Sequence, residues 1–166
     1  MLNPYDHFEK STEKSDLLKM KIRPALQDIE QTLDRLHGFL KQLDLEEICA
    51  FDLETAFYEV TVNIILHGGL SLSDFIEFTA APGPDKISLR FVDPGPQFDP
   101  TNRDSSFDPQ VAIRTRQKHG FGLAMIKRLV DKLSYERVDN RLNVVTLEKN
   151  LCPKGVISHD YTKKAE

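Results

Sequence analysis

Between Glu54 and His67 the chain sets Ala56, Phe57, Val60, Val62, Ile64, Ile65 and Leu66 on almost every side of one helix. A helix that is apolar nearly all the way round is buried on most sides, so the rest of the fold has to enclose it. Asp52 is placed to cap its start, and Gly68-Gly69 to end it. The 166 residues are one domain's worth of chain and enough to bury a real core.

The flanking sequence supplies the enclosure. Leu18, Met20 and Ile22 alternate with Lys19, Lys21 and Arg23, the period of a half-buried strand whose lysines guard a sheet edge. Pro24 suits the first turn of a helix, along which Leu26, Ile29, Leu33, Leu36, Leu40 and Leu43 form one apolar stripe. Phe75 to Ala81 and Lys86 to Val92 read as strands joined by the turn Pro82-Gly83-Pro84-Asp85. A long loop rich in Pro, Asp and Ser, Pro94 to His119, precedes a third helix from about Phe121 to Lys132. Ser134 to Val138 and Leu142 to Glu148 then close as a hairpin around Asp139-Asn140-Arg141. Strands and helices do not alternate regularly. The expected class is therefore α+β: a two-layer sandwich whose mixed, mostly antiparallel sheet is covered on one face by about three helices. Residues 1–16 read as a flexible leader, 17–150 as the folded domain and 151–166 as a loose tail.

Composition narrows the function. Hydrophobic residues make up 40% and charged residues 29%, an ordinary soluble balance, and the net charge of −4 gives no global nucleic-acid footprint. Cys49 and Cys152 lack metal-ligand spacing, and two cysteines fit a reduced, cytoplasmic setting. Cys49, among Leu45, Ile48 and Phe51, reads as a buried inert thiol. His7, His37, His67, His119 and His159 also lack metal-ligand spacing; His37 reads as a surface residue and His67 as a helix cap or a pocket-rim residue. No apolar run is long enough to span a membrane, so a membrane would be reached only through partners.

Three constellations can carry chemistry. Glu59 and Asn63 lie four residues apart on one face of the apolar helix. They are either an edge pair facing water, or a carboxylate that aligns a nucleophile beside an amide oxygen that holds a metal ion. Asp93 shares strand parity with Ile87, Leu89 and Phe91, which places a carboxylate on the core face where it needs a hydrogen-bond donor. Gly95 follows, where backbone can approach a flat ligand; the same Asp-Pro-Gly-Pro string is also plain turn vocabulary. Finally, His119-Gly120-Phe121-Gly122-Leu123 opens the third helix with free N–H groups, preceded by Arg114, Arg116 and Lys118. It is an anion site or an ordinary loop-to-helix joint.

In this order the three motifs resemble those of the GHKL (Bergerat-fold) ATPases. The likeness is closer to their stand-alone bacterial branch, the anti-sigma-factor serine kinases. It rests on Glu59-Val-Thr-Val-Asn63-Ile-Ile-Leu-His67-Gly68, Val92-Asp93-Pro-Gly95-Pro-Gln-Phe98-Asp99-Pro100, Gly120-Phe-Gly122-Leu-Ala-Met-Ile-Lys-Arg-Leu-Val-Asp131 and the following strand Leu133-Ser-Tyr135-Glu136-Arg137, and covers about Leu17 to Lys149. The resemblance implies ATP and Mg²⁺ as ligands. Asn63 would hold Mg²⁺, and Glu59 would act as general base on, or orient, the attacking hydroxyl. Asp93 would accept the adenine amino group, Gly95 would let backbone pass the base, and Gly120 and Gly122 would cradle phosphate. It further implies a serine acceptor on an anti-sigma antagonist protein, a sigma factor as the sequestered partner, and a homodimer.

The chain departs from the family pattern twice. Pro96-Gln97 stands where a second glycine is common, and Leu142-Asn143 where a Gly-Thr pair usually supports the adenine aspartate, leaving Asn143 or Thr146 as substitutes. A nucleotide-gated binding module without kinase activity is the competing expectation. A detached sensor histidine kinase catalytic domain is a third, for which no helical hairpin bearing a phospho-accepting histidine precedes Leu17.

Overall fold

The computed structural model describes residues 17–102 and 121–151, with the side chain of Phe121 excepted. Five strands form one sheet in the order β1-β2-β3-β5-β4: β1 (Leu18–Ile22), β2 (Ile76–Pro82), β3 (Lys86–Asp93), β4 (Lys132–Val138) and β5 (Leu142–Asn150). Among the described residues every strand pairing is antiparallel, so the mixed sheet expected from sequence is antiparallel in these parts. Helices α1 (Leu26–Leu40), α2 (Glu47–His67) and α3 (Phe121–Leu129) accompany it.

The strands form where alternation predicts them. Met20 and Ile22 are buried while Lys19 and Lys21 stay exposed on edge strand β1. Ile87, Leu89 and Phe91 of β3 are fully buried. The β4–β5 connection has positive φ at both Asp139 and Asn140, as a type I′ turn requires, and Arg141 N–H closes it on Val138 O at 2.9 Å.

Helix α2 is the middle element of the helical layer, contacting both α1 and α3. Phe57 seats it on the sheet: its ring meets Phe78 of β2 edge-on at 4.8 Å and Phe91 of β3 at 5.8 Å, and all three rings are fully buried. With Phe57 turned to the sheet, Val60 and Ile64 follow it inward, and Glu59 and Asn63 fall on one flank. The outer face stays wet, with Phe51 60% and Tyr58 44% exposed.

Several local expectations are corrected. Asp52 does not cap α2, which starts at Glu47 behind the N-cap Glu46, because Cys49 and Leu53 extend the buried stripe upstream. Asp52 instead pairs with Lys149 of β5 at 2.9 Å, and the same ammonium donates to Leu129 O at the end of α3 at 2.8 Å. Pro24 precedes the N-cap Ala25 rather than entering α1. Leu26, expected in the stripe, is 55% exposed; the buried positions are Ile29, Thr32, Leu36 and Leu40, and a 3₁₀ turn over Lys41–Leu43 ends the run. Helix α3 stops at Leu129, and Lys132 already belongs to β4. Cys49 is fully buried, as expected, and His37 is exposed but holds Glu54 across the α1–α2 seam at 2.7 Å. Between α2 and β2, Ser71 donates from its backbone and hydroxyl to Asp74, which holds that carboxyl below its usual range.

Candidate functional site

The C-terminal end of β3, the C-terminal end of α2 and the first turn of α3 meet at one edge of the layer interface. Parity along β3 carries Asp93 inward with Phe91, and the carboxylate is 3% exposed. Its Oδ1 accepts from Gly95 N–H at 2.9 Å and from Asn143 Nδ2 at 3.0 Å. Oδ2 receives no hydrogen bond among the described residues.

Asn143 lies directly opposite Asp93 in the β3–β5 register and is also 3% exposed. Its Nδ2 donates additionally to Pro96 O at 2.9 Å and, more weakly, to Gly95 O at 3.3 Å. Its Oδ1 accepts from Arg137 Nη1 at 2.8 Å, Tyr135 Oη at 2.9 Å and Phe98 N–H at 3.3 Å. Of the two residues that could replace the Gly-Thr pair, the fold selects Asn143. Thr146 pairs with Arg90, on the opposite strand parity. Tyr135 and Arg137, which the sequence placed only on the strand after the third helix, are members it did not assign to the site. A signal existed: the Asp139-Asn140 turn fixes Arg137 opposite Asn143. Arg137 also donates to Gly95 O at 2.8 Å and to Asn140 O at 3.2 Å, while its buried Nε has no partner among the described residues.

Gly95 is required here. A Cβ at this position would lie 2.5 Å from Gly68 O and 2.8 Å from Asp93 Oδ1, so the β3 turn runs against the end of α2. Gly95→Ala is expected to lower stability in urea by about 1–3 kcal/mol, since the atoms it meets are held and cannot give way. Gly38→Ala, where nothing lies within 4 Å, is the matched control. It should instead gain up to about 1 kcal/mol from helix propensity.

Glu59 and Asn63 are both half-buried on α2. A Cβ at Gly122 would stand 2.5 Å from Glu59 Oε2 and 3.5 Å from Asn63 Nδ2, so the first turn of α3 lies directly on this pair. Gly68, which touches the Asp93 turn, follows Asn63 by five residues, about 7.5 Å along a helix axis. The fold thus brings Glu59, Asn63, Asp93, Gly95 and Gly122 to one region. Gly120, Arg114, Arg116 and Lys118 lie outside the described residues. His67, the last residue of α2, is exposed, and Gly68 N–H closes the helix on Ile64 O at 2.8 Å.

A family model for the histidine kinase-like ATPase domain matches residues 22–149. Two curated relatives, the anti-sigma F factors of Thermoanaerobacter sp. (strain X514) and Thermoanaerobacter pseudethanolicus (strain ATCC 33223 / 39E), are each 26% identical over 115 residues, which is 68% of this chain and 78% of theirs. Among solved structures, the SiaB–SiaC complex of Pseudomonas aeruginosa aligns with a TM-score of 0.63 at 16% identity, over 79% of this chain and 88% of that one. The RsbU and RsbW domains of a Mycobacterium tuberculosis protein give 0.59 at 17% identity, over 81% of this chain but 32% of theirs. At these identities the structures speak for the fold. Among the described residues no helix is long and apolar enough to cross a membrane.

Proposed function

Because the chain belongs to the histidine kinase-like ATPase domain family, we propose that it binds ATP with Mg²⁺ and works as a serine protein kinase that is also an anti-sigma factor. In this reading it phosphorylates a serine of an antagonist protein, sequesters a sigma factor and acts as a cytoplasmic homodimer. The observation that carries the reading is Asp93, a buried carboxylate with one oxygen saturated by protein donors and the other open. Such an oxygen calls for a hydrogen-bond donor, and the exocyclic amino group of adenine can supply one. The two anti-sigma F factors, matched over 78% of their length, support the partner class.

Each residue then has a task. Asp93 accepts the base amino group through Oδ2. Gly95, whose missing side chain lets the turn close on Gly68, would let backbone pass close to the base. Asn63 presents its amide oxygen to Mg²⁺, which when bound supplies charge neutralisation at the phosphates. Glu59, one turn earlier on the same flank, orients the acceptor hydroxyl and takes its proton. Gly120 and Gly122 offer backbone to the phosphates at the start of α3. Phosphoryl transfer depends on positioning and electrostatics, which these groups supply without a covalent intermediate.

The second reading, a nucleotide-gated binding module, draws on Pro96-Gln97, which replace a glycine that gives related turns more freedom. Incubation with γ-labelled ATP, Mg²⁺ and the captured antagonist separates the two. The kinase reading expects stoichiometric phosphoserine on the antagonist. Capture that depends on ATP but leaves no phosphoprotein would select the module.

A further inference from the structure

We propose that Asn143, clamped by Tyr135 and Arg137, is the specificity-determining residue of the base pocket: it closes one oxygen of Asp93 and leaves the other to read a single amino group. The inference rests on the reading of Asp93 as the base acceptor and goes beyond it, since it concerns which bases that acceptor can match.

The orientation of the Asn143 amide is fixed by its surroundings. Tyr135 Oη, Arg137 Nη1 and the Phe98 N–H converge on Oδ1, and two of these three groups can only donate. The carbonyls of Gly95 and Pro96 and the Asp93 carboxylate converge on Nδ2, and carbonyls can only accept. Turning the amide over would set donor against donor on one side and acceptor against acceptor on the other. The NH₂ group therefore faces Asp93.

Two consequences follow. The amide has two N–H groups, and three protein acceptors consume them, so Asn143 has no donor left for a ligand. Asp93 Oδ1 is taken by Asn143 and by Gly95 N–H, so among the described residues Asp93 offers one open acceptor, Oδ2. A free carboxylate has two oxygens and can hold a fork of two donors side by side, such as the ring N–H and 2-amino group of guanine. Here that fork has no second acceptor. A base with one exposed amino donor at the matching edge, adenine, fits what remains.

Arg137 makes the clamp stiff. One nitrogen bridges Asn143 Oδ1 and Gly95 O, and the other ties to the carbonyl of Asn140 in the hairpin turn. The β4–β5 turn, the Asp93 turn and the amide thus move as one unit, and the carboxylate plane is set before any ligand arrives. Preorganisation of this kind is what lets one hydrogen bond discriminate.

The test measures Kd for ATP, GTP and a 6-unsubstituted purine ribonucleoside triphosphate by calorimetry, on the intact chain and on Asn143→Ala. Wild type should prefer ATP over both competitors by at least about tenfold. In Asn143→Ala both preferences should fall below about threefold, with the 6-unsubstituted nucleotide within about threefold of its wild-type Kd. Tyr135→Phe, which removes one hydroxyl and keeps the ring, should shift the preferences in the same direction by a smaller factor and decides the matter should Asn143→Ala not fold. Preferences unchanged in folded variants would overturn the proposal, as would parallel weakening of all three nucleotides, which marks a merely structural role. A wild type without preference for ATP over the 6-unsubstituted nucleotide would remove the Asp93 reading itself, and this proposal with it.

Discussion

Asp93→Asn is expected to weaken ATP binding by about 100-fold or more while the protein remains folded. The asparagine oxygen can keep the two bonds that Oδ1 accepts from Gly95 N–H and Asn143 Nδ2. Its NH₂ then takes the place of Oδ2 and faces the base with a donor where an acceptor stood. A hydrogen bond to a charged group contributes about 1.5–3 kcal/mol, and opposing two donors adds a desolvation cost. The sum is on the order of two decades in Kd. Calorimetry on the variant checks the size, and thermal unfolding checks that the loss is local. Affinity within about threefold of wild type would place the base elsewhere.

Glu59→Gln is expected to separate binding from transfer. Glutamine keeps the length of the side chain and its contact with the backbone of α3 at Gly122, so the Kd for ATP should stay within about threefold. It cannot take a proton, so phosphate transfer to the acceptor serine should fall by at least about 10²-fold, the usual scale for loss of a general base. Single-turnover transfer at saturating ATP isolates this step. Transfer at the wild-type rate would reduce Glu59 to a packing residue against α3. Equal losses in Kd and rate would point to displaced helices rather than lost chemistry.

Much of the sheet was legible because its strands alternate cleanly. Parity alone placed Asp93 on the core face with Phe91, and it lies there buried. The same parity, applied to β5, separates Asn143 from Thr146 once the hairpin turn is fixed. Helix starts were less legible. Asp52 has the chemistry of a cap, and nothing local announces that its partner is Lys149 on the last strand. Leu26 fits the heptad-like spacing of α1 but is its first residue, and burial along the helix begins only at Ile29.

The candidate site was legible residue by residue but not as an arrangement. Glu59, Asn63, Asp93 and Gly95 could each be singled out from type and spacing. That Gly122 lies on Glu59, and that Gly95 lies on Gly68, are facts of helix–helix and helix–sheet packing, which no local window contains. Tyr135 and Arg137 carry part of the family likeness as strand residues, but nothing local marks them as site residues until the register places them beside a buried amide.

The most direct test of the ATP-site reading is a calorimetric titration of the wild-type chain with ATP, in the presence of Mg²⁺ and after its chelation. The arrangement of Asp93, Asn63 and Gly122 predicts one saturable site per chain whose affinity falls when Mg²⁺ is removed. Absence of saturable binding with Mg²⁺ present would contradict it and leave the buried carboxylate without a ligand.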